Sequence, residues 1–208
     1  MKKRLYLKFC LAYLIFGIFS FIAVAVFVSN LTLEHLRREK ADALYREATL
    51  IANTYASDLY DNTTSLDVVK KQLDALDTYL SAQIWIINPS GRMILDSSQS
   101  IHVDSEIMVE NFDPTITVGS FYTVGHFFNY FEEEMLSVFA PITTDYEVKG
   151  YVVIHSSMSQ IQQQKENLLR ISYITMLLLF LLSGIILIFF TEFVYKPLRK
   201  ITTATEQY

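Results

Sequence analysis

The sequence predicts an α+β protein in which two transmembrane helices flank an extracytoplasmic domain with long N-terminal helices and a five-stranded antiparallel sheet. Residues 9–28 and 171–190 are two runs of twenty residues without a charge, and about twenty apolar helical residues span the hydrocarbon core of a bilayer. Between the runs, the helical spacing of apolar residues gives way at Ser81 to short β-branched and aromatic segments separated by turn residues.

Charged residues set the predicted orientation of the two runs. A cleaved signal peptide ending near Ala25 is the alternative for the first run, but the run is long for a signal core and no polar segment precedes Ala25. An uncleaved anchor is therefore favoured. The positive-inside rule then places both termini in the cytoplasm. Basic residues lie before the first run and after the second, at Lys2, Lys3, Arg4 and Lys8 and at Lys196, Arg199 and Lys200.

These boundaries divide the chain into five segments. They are a cytoplasmic N-terminus at 1–8, a first transmembrane helix at 9–28, an extracytoplasmic domain at 29–170, a second transmembrane helix at 171–195 and a cytoplasmic stub at 196–208.

Two helices open the predicted domain. Leu44, Ala48, Ile51, Tyr55 and Leu59 recur at helical spacing and predict an amphipathic helix that continues from the first membrane run. A second such helix extends over 66–80. The first helix packs either on its own domain alone or also against a second copy of the chain, and the pattern leaves both open.

Strands follow. Residues 83–87 and 93–95 predict a hairpin closed by Asn88-Pro89-Ser90-Gly91, with Trp85 in the middle of the first strand. A short helical piece capped by Asp104 or Ser105 is expected through Asn111. The remaining predicted strands lie at 119–131, 135–142 and 150–156, and a helix from Ser157 leads into the second membrane run.

Charge and motifs exclude several functions. The predicted domain holds ten Lys and Arg against twenty Asp and Glu, a net charge of −10, which disfavours nucleic-acid binding. Cys10 is the only cysteine, so no disulfide forms within one chain. Phosphate loops, nucleophile elbows and zinc motifs are not found in the sequence. We expect these 208 residues to hold no catalytic residue, no metal and no cofactor.

Three features are candidates for binding or sensing, and each has a plainer interpretation. Glu132-Glu133-Glu134 offers oxygen ligands for a hard cation or is a solvated turn. His126 and His155 sense pH or are strand residues satisfied by neighbours. Tyr122, His126 and Tyr130 alternate along the long aromatic strand, so one face of it lines a ligand cavity or is ordinary sheet core.

The order of elements has a family resemblance. The chain resembles the extracytoplasmic Cache (PAS-like) sensor domains of bacterial receptors in its hairpin, IWIINPSGRMILDSS. The segment MLSVFAPITTDYEVKGYVVIHSSMSQI resembles the last two strands of that fold as found in Gram-positive two-component sensor histidine kinases. The stub resembles the opening of a HAMP linker, VYKPLRKITTATEQY. Pro197, Leu198, Ile201 and Ala204 match that linker and are its signal-coupling positions.

This resemblance implies a membrane-anchored sensory front end of a histidine kinase. It implies a homodimer, an unknown extracellular ligand, and a cytoplasmic response regulator reached through a kinase region beyond Tyr208. All four His lie outside the expected cytoplasmic segments, so none is a phosphoacceptor. A chemoreceptor, a cyclic-dinucleotide enzyme with the same front end, and a stand-alone membrane-anchored binding protein are the alternatives.

Overall fold

The computed structural model describes residues 2–60, 64–99, 107–117 and 121–197. The chain divides into two compact units, formed by residues 33–163 and by residues 1–32 together with 164–208. Its helices are α1 (Lys2–Ile51), α2 (Ser57–Tyr60), α3 (Leu66–Leu80) and α4 (Met158–Phe190), with π-turns at Ala52–Ala56 and Thr191–Tyr195 and a 3-10 turn at Pro114–Thr117. Its strands are β1 (Gln83–Ile87), β2 (Met93–Asp96), β3 (Tyr122–Gly125), β4 (Met135–Thr144) and β5 (Glu147–Ser157).

The five strands form one antiparallel sheet in the order β2-β1-β5-β4-β3. β5 lies in the centre and pairs with β1 over its whole length, from Gln83 opposite His155 to Ile87 opposite Tyr151. This confirms the predicted α+β class with a five-stranded antiparallel sheet. Because side chains alternate between the faces of a strand, β1, β4 and β5 each contribute to both faces.

One face of the sheet, here called the helix face, packs against α1 and α3. Leu44, Ala48 and Ile51 of α1 are buried against it, as the helical spacing predicts. Val69 and Leu73 of α3 are buried against the same face. The strands contribute alternate residues to the same core, which are Ile84, Ile86, Leu136, Val138, Ala140, Ile142, Val152 and Ile154.

Polar contacts fix α3 to the end of β2. Lys70 is nearly buried; it donates to the backbone oxygen of Ser97 at 2.9 Å and pairs with Asp74. The Ser97 hydroxyl donates to Asp77 and accepts from the backbone N–H of Ile84 at 2.8 Å. The edge of the sheet is thereby tied to a helix by side chains whose polar groups are satisfied.

The third strand departs from the prediction. It ends at Gly125 instead of continuing to residue 131, because the next residues turn back sharply. Phe127, Phe128 and Asn129 have φ values of 42°, 51° and 60°, which no strand can adopt. Aromatic residues have high strand propensity, and here the turn overrides it.

Two further boundaries differ. β4 and β5 extend to meet at Asp145 and Tyr146, whose φ values of 51° and 62° have the sign that a tight two-residue hairpin requires, although neither is Gly. The prediction of a short helical piece through Asn111 is wrong for residues 107–111, which the structure describes. Met108 there forms an antiparallel bridge with Arg92. Residues 100–106 lie outside the described ranges.

The unit formed by residues 1–32 and 164–208 holds the two apolar helical stretches. Each contains a window of mean hydropathy 2.7, long enough to cross a membrane, and no residue of either window is buried. Two such helices, one on each side of the sheet unit in sequence, fit a membrane protein.

The two apolar stretches contact each other at a tyrosine. The Tyr13 hydroxyl donates to the backbone oxygen of Phe180 at 2.7 Å, and the two rings stack with centroids 4.9 Å apart. Gly17 makes room for the Phe180 ring, since a Cβ there would lie 2.0 Å from it. In an apolar environment a hydroxyl needs such a partner, so this contact satisfies the most polar group of the pair.

Candidate functional site

The second face of the sheet, here called the aromatic face, is covered by irregular chain instead of helices. Its buried residues are Trp85, Ile87, Val109, Phe127, Phe139 and Val153, with Met93, Phe112, Phe128, Phe131 and Tyr151 packed against them. Val109 and Phe112 come from the segment after β2, and Phe127, Phe128 and Phe131 from the segment between β3 and β4. Loops that cover a rigid sheet are where binding residues are usually found.

Trp85 lies at the centre of this face. It is fully buried, and its ring has four close neighbours. Phe131 stacks on it with centroids 5.2 Å apart, and His155 meets it edge-on at 4.3 Å. Phe127 and Tyr130 also meet it edge-on, at 5.5 Å and 4.7 Å. Edge-on and stacked aromatic pairs are the favourable geometries, so Trp85 organises the cluster.

His155 lies inside the same cluster. It is fully buried, and Phe127 and Phe131 flank its ring at 4.4 Å and 4.9 Å. Its Nδ1 is 2.8 Å from the hydroxyl of Ser137, the residue opposite it on β4. Burial lowers the pKa of His155 to about 3 from an ordinary value of 6.5, so the ring is neutral at physiological pH.

Two nitrogen atoms of this cluster have no hydrogen-bond partner among the described residues. They are Nε1 of Trp85 and Nε2 of His155, and both are buried. An unpaired buried polar group costs about 1–3 kcal/mol. Such groups in a cluster of aromatic rings indicate a place where a ligand or a water molecule completes the hydrogen bonding.

The chain that covers these two rings has an unusual backbone. Phe127, Phe128 and Asn129 are three consecutive non-glycine residues with positive φ. The turn is closed by backbone bonds from Tyr130 N to Phe127 O at 3.0 Å and from Phe131 N to His126 O at 3.1 Å. Each left-handed residue with a Cβ costs about 1–2 kcal/mol, and such strain is concentrated at ligand clamps and switches.

The three residues predicted to line a cavity are not brought together on one face. Tyr122 packs on the helix face and its ring meets Phe121 at 5.5 Å, so the predicted assignment of this strand's two faces is wrong at Tyr122. His126 is exposed at the start of the turn. Tyr130 touches Trp85 from the aromatic face. Ligand contact by Tyr122, His126 and Tyr130 stays a prediction.

The other predicted positions divide between described and undescribed residues. Pro197 is helical and follows the π-turn at Thr191–Tyr195, whereas Leu198, Ile201 and Ala204 lie outside the described ranges. Glu133 accepts a hydrogen bond from Ser157 at 2.8 Å. Among the described residues, no three His, Cys, Asp or Glu side chains are grouped as metal ligands would be.

The pairing of Trp85 with His155 was missed at the sequence level. The available signal was polarity, because Ser137 and His155 interrupt two apolar strands that were both predicted. In an antiparallel sheet, two such residues can lie opposite each other only in one register. The sequence alone does not give this register, so the contact between His155 and Trp85 could not be predicted from it.

No protein-family model matches the sequence, and no curated protein sequence matches it. Solved structures similar to the chain include the sensory domain of the Campylobacter jejuni chemoreceptor Tlp3 with isoleucine bound, with a TM-score of 0.46, 12% identity, and coverage of 72% of this chain and 66% of that one. The Tlp3 ligand-binding domain with L-norvaline gives a TM-score of 0.48, 15% identity, and coverage of 66% and 57%.

The sensor domain of the V. cholerae histidine kinase DctB is also similar, with a TM-score of 0.36, 19% identity, and coverage of 78% of this chain and 60% of that one. The matches thus span about two thirds of those chains or less. The similar structures are sensory domains of chemoreceptors and of a histidine kinase. The fold class of this chain rests on its own sheet order and helix packing.

The left-handed turn gives a first prediction. Asn129 is exposed, so substitutions there change the backbone preference with little change in burial. Asn129→Val places a β-branched residue at a φ of 60° and is expected to destabilise the fold by about 1–2 kcal/mol. Asn129→Gly, the matched control, is expected to stay within about 1 kcal/mol of the parent. Thermal unfolding of the full chain in detergent measures both, and equal melting temperatures for Val and Gly would contradict the turn.

His155 gives a second prediction. Its folded-state pKa of about 3 is below the ordinary 6.5, so the folded state favours the neutral ring. Its contribution to stability is complete above pH 6.5 and is lost as the pH falls toward 3. The loss is about 2 kcal/mol at pH 5.

Chemical unfolding of the full chain between pH 7 and pH 5, followed by the fluorescence of the sole Trp, measures this loss. The control is His155→Met, which cannot titrate and is expected to lose about 2 kcal/mol less over that range. Identical pH slopes for the two proteins would show that His155 is not the titrating group.

Proposed function

We propose that the chain is the membrane-anchored sensory front end of a two-component histidine kinase. The sheet unit receives an external signal at its aromatic face. Helix α4 passes the change through the membrane to a kinase region and its response regulator. The kinase output rests on the resemblance of the last two strands to those of Gram-positive sensor histidine kinases, and a chemoreceptor with the same front end is the alternative. The sensing role is supported by the structure of the domain itself.

The observation that carries the proposal is the junction between β5 and α4. β5 ends at Ser157, and α4 begins at the next residue, Met158, with no loop between them. Met158 and Ile161 are buried in the core of the helix face, and the Met158 N–H donates to the backbone oxygen of Glu134 at 3.0 Å. A displacement of the central strand therefore acts directly on the first turn of α4.

The candidate site lies close to this junction in sequence. His155 lies on β5, three residues before Met158. The segment between β3 and β4 carries both the left-handed turn over His155 and Glu134, whose oxygen holds the start of α4. A change in that segment reaches α4 by two routes, one through β5 and one through this backbone hydrogen bond.

The far end of α4 also has a feature suited to signal transfer. Pro197 lacks an N–H, and its ring conflicts with the carbonyl four residues earlier, that of Phe193. The preceding turn is widened into a π-turn at Thr191–Tyr195, in which the N–H of Lys196 donates to Thr191 O. We propose that this turn leads into a HAMP linker whose coupling positions are Pro197, Leu198, Ile201 and Ala204.

Localisation and assembly are part of the same proposal. The apolar stretches of α1 and α4 cross the membrane twice, and both termini are cytoplasmic. The active form is a parallel homodimer, as the resemblance to dimeric kinases implies.

Topology is tested by single cysteines in a Cys10→Ser background. Ser90 in the β1–β2 turn and Lys196 after the second apolar stretch are both exposed. In intact cells, an impermeant thiol reagent is expected to label Ser90→Cys and not Lys196→Cys, while permeabilised cells label both. Equal labelling of the two sites in intact cells would contradict two spans with cytoplasmic termini.

Signal transfer along α4 is tested by helix phase. One Ala inserted between Arg170 and Ile171 rotates the helix downstream by about 100°, whereas seven inserted apolar residues restore the phase to within about 20°. A residue inserted within the π-turn at Thr191–Tyr195 could be absorbed by that turn, so the insertion site is placed upstream of it. With the chain fused to a kinase that drives a reporter, the single insertion is expected to lock or invert basal output, and the seven-residue insertion to restore it partly. Unchanged output after the single insertion would contradict transfer by a continuous helix.

A further inference from the structure

The aromatic face presents two unpaired donors. Trp Nε1 is always an N–H donor, and that of Trp85 has no partner among the described residues. The tautomer of His155 follows from the Ser137 hydroxyl, whose one hydrogen bond in the described part of the chain is to His155 Nδ1. If Nδ1 carried the proton, the buried Ser137 hydroxyl hydrogen would have no acceptor. With the Ser137 hydroxyl donating to Nδ1, only the Nε2–H is left unpaired, whereas the reverse arrangement leaves both the hydroxyl hydrogen and the Nε2 lone pair unpaired. The first arrangement is therefore favoured, and it puts the ring proton on Nε2.

Aromatic rings form the immediate surroundings of these donors. Phe127 and Phe131 pack against both Trp85 and His155, and Tyr130 packs against Trp85. One buried carboxylate, that of Asp96, belongs to the residue opposite Trp85 on β2. It already accepts from the Gln83 amide at 3.0 Å and from the Ser98 N–H and hydroxyl, both at 2.8 Å. A ligand carboxylate would lose its hydration there and be repelled by Asp96, and an ammonium group would have to compete for oxygens that Gln83 and Ser98 already occupy.

We propose that the aromatic face binds an uncharged, ring-sized organic molecule through a carbonyl-type oxygen, which accepts hydrogen bonds from Trp85 Nε1 and His155 Nε2. This inference rests on the proposed sensory function and names the chemical class of its signal. Ketones, lactones and amides fit the class. A carbonyl oxygen has two lone pairs, so one oxygen satisfies both donors.

The left-handed turn is the entrance to this site. Phe127 lies within it and the Phe131 N–H donates its closing bond to His126 O. The rings of both residues cover His155. The Phe131 ring also stacks on Trp85, so a six-membered ring of similar size takes its place when the turn opens. Releasing the three left-handed residues offsets part of the free energy lost with the Phe131 contacts.

The test uses the full chain in lipid nanodiscs, with Trp and His labelled with ¹⁵N. Trp85 is the only Trp, so the indole N–H gives one resonance. The probes are three compounds built on the same ring, namely cyclohexanone, cyclohexanecarboxylate and cyclohexylammonium. Cyclohexanone is expected to shift the indole proton downfield in a saturable way at about millimolar concentration, as suits a ligand of so few atoms. The two ions are expected to cause no saturable shift.

Variants of His155 separate the two donors. His155→Gln keeps an N–H donor near the position of Nε2, and His155→Leu removes it. The Gln variant is expected to bind cyclohexanone within about threefold of the parent and the Leu variant about tenfold more weakly, the effect of losing one hydrogen bond. The ¹⁵N spectrum of the His rings is an independent measurement. It is expected to show His155 as the Nε2–H tautomer, identified by its absence in the Gln variant.

Several results would overturn the proposal. Saturable binding of either ion in preference to cyclohexanone would show that the proposed class of uncharged ligands is wrong. An Nδ1–H tautomer, or equal binding by the Gln and Leu variants, would remove the second donor. An indole proton bonded to a buried water, and unchanged by every probe, would show that water completes the site.

Failure of the proposed function gives a different pattern. If cyclohexanone binds as expected but the reporter output of the kinase fusion does not respond to it, the site exists and the sensory role is wrong. If the output responds to the phase of α4 but no probe binds, the sensory role holds and the ligand class is wrong.

Discussion

The register between β1 and β5 is the constraint on which the rest of the fold depends. Both strands are buried on both faces, so each successive residue belongs to a different core. Ile84 opposite Ile154 faces α1 and α3, whereas Trp85 opposite Val153 faces the irregular segments. A slip of one residue would exchange the two sets and place Trp85 against the helices. The aromatic face exists only because this pairing is fixed.

The same register explains why polar residues persist at the centre of the sheet. Ser137 lies opposite His155, and their hydrogen bond contributes about 1 kcal/mol. Against it stand the unpaired nitrogens of Trp85 and His155, at about 1–3 kcal/mol each. A pair of aliphatic residues would give a more stable domain. Stability alone therefore does not account for this pair.

Sequence patterns predicted the elements whose signals are local. The helical spacing of Leu44, Ala48 and Ile51 gave the correct buried stripe of α1, and the Asn88–Gly91 turn gave the first hairpin. The third strand was drawn too long because its residues all favour strands, and the turn at Phe127 has no Gly or Pro to announce it. The position of Tyr122 was inverted for a related reason, since alternation gives two sets of residues but not which set meets the helices.

Energy scales decide whether the aromatic face can act as a switch. The left-handed backbone of Phe127 and Phe128 holds about 2–4 kcal/mol of strain, and Asn129 adds little because Asn tolerates this conformation. Ligand at a hundredfold excess over its dissociation constant supplies about 2.7 kcal/mol. The rings of Phe127 and Phe131 hold the turn closed against that strain, so the two states need differ by only a few kcal/mol. A ligand selective for the open state moves such an equilibrium by no more than its difference in affinity for the two states. Glu134 O accepts a hydrogen bond from the Met158 N–H at 3.0 Å, so the segment that carries the turn is bonded directly to the first residue of α4.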